Sequence, residues 1–561
     1  MVSPYSLAIK IAPRRVRRFC VLVCVVLPFL SVAAMPLETS ASSNGLLITP
    51  PQILLDTSGP ENNQGAAFDT VCFLRDPFHV RSQYPWWSPV SDQNNRITIF
   101  VSNIVSATPV TINLVDAQNQ SFTVGVEKIS ELPNLDFLQV TFRLPNNLAP
   151  GTCNVSVTAN NGVSNTASFR VAFEESQWRQ DLQFLGAQLP VLHVNPFTRI
   201  SHEQFDQLVA DLDRDIPALQ DHEIVTRMMQ IVAAIGDAHT TLSINGSLLR
   251  FRTYPIKSYW FTDGLYVTSV SSTHSQVLGK RVTKIGSVDT SAANAQVASV
   301  ISHENDQWVK AQAPAQFASP EVLHALHVMP GLQDGAFVVQ SAGGESSTVN
   351  INSIFANATV TWLSLPDPLQ TPTPLYRQHP ELNYWFDYVE SAHTLYFQYN
   401  VCQNRVDLPF NQFLQQMQQF VATHEVTKFV IDLRNNPGGD SSILQPLINA
   451  LATDTTFNRS DRLFVIIGRA TISSGLLNAI SLRQQTNATF VGEPTGGKPN
   501  HFGEVGSFRL PNSRLLATYA KRFFNTMPGD PISLFPDTTV ELSSAEYFSG
   551  RDPVLENILN R

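Results

Sequence analysis

The amino-acid sequence predicts a chain of several domains: a β-sandwich first, then a helical segment and a mixed insert, and an α/β core last. Three observations predict it. At 561 residues the chain exceeds what one hydrophobic core serves, and three or four domains are expected. The hydrophobic pattern changes along the chain, from alternating runs to a helical period and then to short continuous apolar runs. Those last runs alternate with helical stretches, as in parallel α/β units. Hydrophobic content of 43% and charged content of 15% are those of globular protein, with no sign of disorder.

Residues 1–34 read as a secretory signal. Lys10 and four arginines (Arg14, Arg15, Arg17 and Arg18) precede the apolar run Phe19 to Leu30, and the small-residue site Val32-Ala33-Ala34 follows. The run is too short to span a membrane comfortably. A secreted, extracellular protein with no stable membrane insertion after cleavage is expected. The net charge of −9 becomes roughly −14 without the leader, which leaves no electrostatic footprint for nucleic acid. Cys20 and Cys24 would leave with the leader. Cys72 and Cys153 fall in one expected domain, where an exported protein can form a disulfide, and Cys402 is left as an odd buried thiol. Six N-x-[ST] sequons (Asn119, Asn154, Asn245, Asn357, Asn458 and Asn487) fit a glycoprotein.

Residues 50–173 hold the alternating runs ITIFVSNI, TINLVDA, LQVTFRL and TCNVSVTA, separated by Asn, Asp, Pro and Gly turns. That spacing predicts an accessory sandwich of immunoglobulin-like type. It contains no convergent titratable cluster. Tyr84, Trp86 and Trp87 are either a binding platform or domain packing.

Residues 175–248 are helical. Ser201 followed by Glu203 and Gln204 starts one helix, and Ile224, Met228, Ile231 and Val232 line one face of the next. That helix ends at Gly236, and Asp237-Ala238-His239-Thr240-Thr241 turns into a strand. His239 is a candidate base, and a histidine at a helix end is also a favourable charge–dipole placement. His222 and His501 are weaker candidates. Residues 251–352 combine strands (GLYVTSV, GKRVTKIG) with the helix SAANAQVASVIS, and the proline-rich residues 353–383 read as a connector.

Residues 384–561 form the α/β core. KFVIDLRNNPGG is a buried strand ending in a glycine turn at Gly438 and Gly439. RLFVIIGRATISSGLLNAI is a second strand that passes into a helix near Ser473, and ATFVGEPTGGKPNHFGE is a third strand with the loop carrying Lys498. In parallel sheets, loops at the carboxyl ends of the strands gather in one crevice. They would bring together a serine at a helix start, a lysine and backbone amides. A serine needs a base within reach, a lysine in a dry site can act as one, and glycine-turn and helix-start amides can hold an oxyanion. Ser473 could also be an N-cap only.

DLRNNPGG, TISSGLLNA and VGEPTGGK resemble the three loops of the tail-specific (C-terminal processing) serine protease family, in the clan that includes tricorn protease. The resemblance is specific over residues 428–504. It implies a clpP/crotonase-like core, a PDZ-like insert at 251–352, and peptide-bond hydrolysis through an acyl-enzyme with no metal or organic cofactor. It also implies a nucleophile 25 residues before the lysine. Ser473 stands there, with the Ser474 amide joining Gly438 and Gly439 in the oxyanion hole. GDAHTTL resembles the family's histidine turn, and the position of Asp530 before Pro536-Asp537 resembles that of the family's orienting acid, usually Glu. The base is therefore Lys498, or His239 oriented by Asp530. Leu476 departs from the acidic residue usual three places after the nucleophile. The alternative is an inactive clan member acting as an extracellular ligand-binding or scaffold protein. Partners implied are protein or peptide substrates; the oligomeric state is left open. No H-E-x-x-H or paired C-x-x-C spacing argues for a metalloenzyme.

Overall fold

The computed structural model describes residues 49–56, 63–71, 73–82, 92–104, 109–159, 161–355 and 358–561. The leader, Cys72, Asn357 and the Tyr84–Trp86–Trp87 cluster lie outside these residues. The chain divides into an N-terminal unit, which ends at residue 171, and a larger unit that runs from 172 to 561.

The N-terminal unit is β-structure with antiparallel pairing along its main path, in strand order 52–53, 96–102, 138–143, 121–131, 111–115, 151–159, 162–163. The long strand Ser121–Glu131 belongs to both halves: Ser121–Gly125 pairs with Thr111–Val115, and Val126–Glu131 pairs with Leu138–Phe142. A register shift near Val126–Lys128 marks the passage, as a bulge does where a strand bends. Alternate residues point inward, so Ile97, Ile99, Val101, Ile112, Leu114, Val140, Phe142, Val155 and Val157 make one core. Cys153 sits in that core as a free thiol, pushed up to about 12 by burial.

In the larger unit, helices span Glu175–Leu192, His202–Asp215 and Asp221–Ala233. Ser201 caps the second, accepting from the Gln204 amide at 3.2 Å. Their apolar faces pack on a hairpin of His501–Arg509 and Leu516–Phe524, with Leu182, Leu212, Met228, Leu510 and Ala517 in one cluster. The insert is an antiparallel sheet in the order 256–261, 264–271, 281–285, 334–340, 346–352, covered by helices Thr290–Ala298, Asp306–Gln316 and Pro320–Ala325. The proline-rich residues 353–383 contain two short strands. Ile354–Phe355 pairs with Arg252–Thr253, and Trp362–Ser364 pairs with Ser269–Ser271 of the insert sheet.

The core sheet runs 384–389, 394–399, 428–432, 463–467, 489–492, 538–539; its first pair is antiparallel and the rest are parallel. Both faces are covered, which is why its strands are continuously apolar. Phe429, Ile431, Leu463, Val465 and Ile467 face the helices Phe410–Thr423, Gln445–Thr453 and Ser473–Gln485. Val430, Phe464, Ile466 and Val491 face the last helix, Pro553–Leu559. Beneath the DLR stretch lies a buried ionic network. Arg434 is held bidentately by Asp552 (2.9 and 2.9 Å) and by Asp432 (2.8 Å), and Tyr396 donates to Asp432 at 2.7 Å. Paired this way, a buried guanidinium keeps its charge. Among the described residues no helix is long and apolar enough to cross a membrane.

Candidate active site

Strand Leu463–Ile467 ends at Gly468, whose amide donates to Thr471 Oγ1 at 3.0 Å, and the chain turns sharply into helix Ser473–Gln485. Ser473 occupies that turn with φ of +53°, in the left-handed region that non-glycine residues rarely adopt. A residue held there is thrust out of the strand-to-helix corner. The two adjacent serines differ in what their hydroxyls do. Ser474 donates to the Gly439 carbonyl at 2.6 Å and ties down the glycine turn. The Ser473 hydroxyl bonds to no described residue and is only half-buried.

The glycine turn fits against Ser473 because Gly438 has no side chain. A methyl group there would lie 2.7 Å from Ser473 Cβ and 2.9 Å from the Ser474 nitrogen, and its φ of +111° favours glycine besides. The amides of the turn do not all point the same way. That of Gly438 donates to Asn436 Oδ1 at 2.9 Å. Those of Gly439 and Ser474 donate to no described residue. Cys402 braces the turn from behind: its amide donates to the Gly438 carbonyl (2.9 Å) and its carbonyl accepts from Asp440 (2.7 Å). Its thiol, directed to Asn436 and Asn478, is pushed up to about 12 by burial. It is a packing residue.

The Lys498 loop meets the serine turn at one end and His239 at the other. The Gly497 amide donates to the Thr471 carbonyl at 3.1 Å, and a methyl at Gly497 would sit 3.1 Å from Ile472 Cα. Further along, the His501 ring stacks on His239 with centroids 5.5 Å apart. Lys498 Nζ reaches Asp530 at 2.7 Å. Asp530 is the residue that the sequence assigned to orient His239. Its side chain is 63% exposed, and the lysine lowers its pKa.

The carboxylates beside His239 are Asp237 and Glu304, and the ligand atoms of the three residues lie within 4.8 Å of one another. Asp237 shapes the turn, accepting from the His239 amide (2.9 Å), from Thr240 and from His193 Nε2 (3.1 Å). Its carboxylate stands 3.7 Å from His239 Nδ1, an electrostatic contact rather than a hydrogen bond. Glu304 reaches the site from the insert. Asn305 fixes it there, donating from one amide to the Ile532 carbonyl (2.7 Å), Ser533 Oγ (3.1 Å) and the Thr495 carbonyl (3.3 Å).

Neither His239 ring nitrogen and neither Glu304 oxygen makes a hydrogen bond, although all four atoms are buried. Burial and the Asp237 charge raise Glu304 to about 7. Burial pushes His239 down, but the two carboxylates outweigh it and its pKa ends raised. Burial, with the neighbouring His239, lowers His501 to about 4 and keeps that ring neutral. Neither His239 nor Lys498 hydrogen-bonds Ser473 in this structure. His222 lies elsewhere, at the opposite end of its helix, bonded to His324.

Glu304 and Asn305 were invisible as site residues in the sequence, because no motif marks them and the insert alone delivers them. Asp237 was legible as part of GDAHTTL but not as a partner of the histidine. Leu476, the departure from the family pattern, is fully buried in the core cluster.

No family model matches the chain. No curated protein matches it either. Solved structures do. Mature CPAF complexed with lactacystin is 12% identical, over 69% of this chain and 98% of that one, with a TM-score of 0.49. A photosystem II D1 C-terminal processing protease is 11% identical, over 68% of this chain and 99% of that one, with a TM-score of 0.32. Both neighbours are tail-specific or C-terminal proteases.

Proposed function

We propose that the protein is a secreted serine peptidase that cleaves peptide bonds through an acyl-enzyme on Ser473. One observation carries this reading: a serine at φ +53° on a strand-to-helix corner, its hydroxyl uncommitted, packed on a glycine that admits no side chain. In this reading His239 is the base. It has the lone pair to accept the Ser473 proton, whereas the Lys498 ammonium is engaged by Asp530. Asp237 and Glu304 stabilise the imidazolium that forms, as the carboxylate of a triad does. Attack on the scissile carbonyl gives a tetrahedral oxyanion, held by the Gly439 and Ser474 amides, with Gly438 joining if its amide turns from Asn436. Collapse transfers the His239 proton to the leaving amine, and water then hydrolyses the ester by the same steps in reverse. Ser473 and His239 come into hydrogen-bond contact when substrate fills the site, a tightening that catalytic pairs commonly show. The insert, read as PDZ-like, delivers Glu304 and so links substrate entry to the base. The β unit, read as immunoglobulin-like, serves positioning.

The missing Ser473–His239 bond favours one second reading, an inactive relative that binds a ligand. Purified wild type, Ser473→Ala, His239→Ala and Lys498→Ala, assayed side by side on casein and with a fluorophosphonate probe, separate the two. Label on Ser473, lost with Ser473→Ala and strongly reduced with His239→Ala, supports the peptidase. No label and no turnover in wild type overturns it.

A further inference from the structure

Two groups of metal-ligating side chains occur among the described residues. Asp237, His239 and Glu304 belong to the site above. The other group lies at the opposite end of helix Asp221–Ala233, about 20 Å away along its axis. There His222 and Glu223, in the first turn, meet His324 from helix Pro320–Ala325 of the insert. The peptidase mechanism uses none of the three. We propose that His222, Glu223 and His324 bind a divalent transition metal of the zinc class, which ties the insert to the helix that leads into the His239 turn.

The donor set fits such an ion. Two imidazoles and one carboxylate, with a position left for water, are ligands that zinc accepts. All three donor atoms lie within 4.8 Å of one another. His222 Nε2 and His324 Nδ1 face each other at 2.8 Å, so a lone pair and an N–H converge on one point. A metal would take the place of that proton. Tetrahedral arms of about 2.1 Å need the nitrogens roughly 3.4 Å apart. Rotation of His324, which is half-buried, can supply the difference. Glu223 uses Oε2 to cap the helix at the Gln220 amide (2.7 Å), which leaves Oε1 for the ion. Arg252 and the positive end of the helix oppose a cation. The Glu223 carboxylate offsets them, and affinity should depend on it.

The test uses full-length, untagged protein stripped with chelator and titrated with zinc alone by calorimetry, and with cobalt(II) followed by its visible absorption. The expected result is one ion bound here with a cobalt band, and a zinc-dependent rise in the thermal midpoint. His324→Ala should weaken binding about 100-fold, and Glu223→Gln, which still caps the helix, about 10-fold. His239→Ala and Glu304→Gln should leave binding at this site intact. If His324→Ala fails to fold, Glu223→Gln alone decides. The proposal is overturned if wild type binds no zinc, if Glu223→Gln binds as wild type, or if only His239→Ala removes the ion. None of these outcomes depends on whether the protein cleaves peptides.

Discussion

The two halves of the candidate site are built in different ways. On the serine side, strand, turn and helix follow one another in the chain, and Gly438, Ser473 and the Lys498 loop sit at the ends of neighbouring parallel strands. On the histidine side, His239 lies in the turn that follows a helix, Glu304 comes from the insert, and His501 stacks from a hairpin. The first half is fixed by local sequence and sheet register. The second exists only once distant segments have packed. Damage on the serine side should therefore abolish chemistry in a folded protein, while changes to the carboxylates around His239 should tune its pH response.

The sharpest break is Ser473→Ala, expected to lower peptide turnover by about 10⁴-fold or more with the thermal midpoint nearly unchanged; turnover persisting in a homogeneous variant would remove Ser473 from the mechanism. Asp552→Ala comes next. It strips the bidentate partner from buried Arg434, and chemical denaturation should show a loss of about 3–5 kcal/mol. Gly438→Ala should follow, costing about 10²–10³ in kcat because its methyl would displace Ser473 and the adjacent amide. Its effect should be on kcat more than on KM.

Two pH effects are smaller and sharpen the contrast. The carboxylates beside His239 raise its pKa, so kcat/KM should climb with pH along a limb above the ordinary histidine value of 6.5. Glu304→Gln removes one of those charges and should move the limb to lower pH, whereas Lys498→Ala should not move it. In the fold, His222 and His501 stay neutral down to about 4, while the unfolded chain takes up protons from about 6.5. Stability from these rings should thus be full above 6.5 and fall as pH drops towards 4. Glu304 acts in the opposite sense: raised from 4.5 to about 7, it favours the fold at low pH and loses that contribution as pH rises through 7. Denaturation midpoints between pH 4 and 8 for wild type and Glu304→Gln will resolve the two.

The same contrast explains how much the sequence reveals. The core strands are legible because burial on both faces makes them continuously apolar, and the helix Ser201 opens is legible from its cap. Ser473 is legible because strand, corner and helix are contiguous. Glu304 is not, since nothing local distinguishes an acid that will pair with a histidine from one that will meet water. Asp530 shows the converse. Its spacing matched a motif, yet its side chain meets Lys498. Leu476 is a departure in pattern with a plain physical cause, since a carboxylate at a fully buried core position would lack a partner. The short strands within the connector leave no mark in the sequence, because strands of two or three residues are too short to show a period.

The Asn305 amide has one more consequence. Its three acceptors lie on the Lys498 loop and on the segment just after Asp530, while its backbone neighbour is the acid facing His239. A peptide that tugs the insert would move the proton acceptor's surroundings and the lysine loop as one piece. Recruitment and ignition of the chemistry would then be a single mechanical event, with one side chain as the coupling pin.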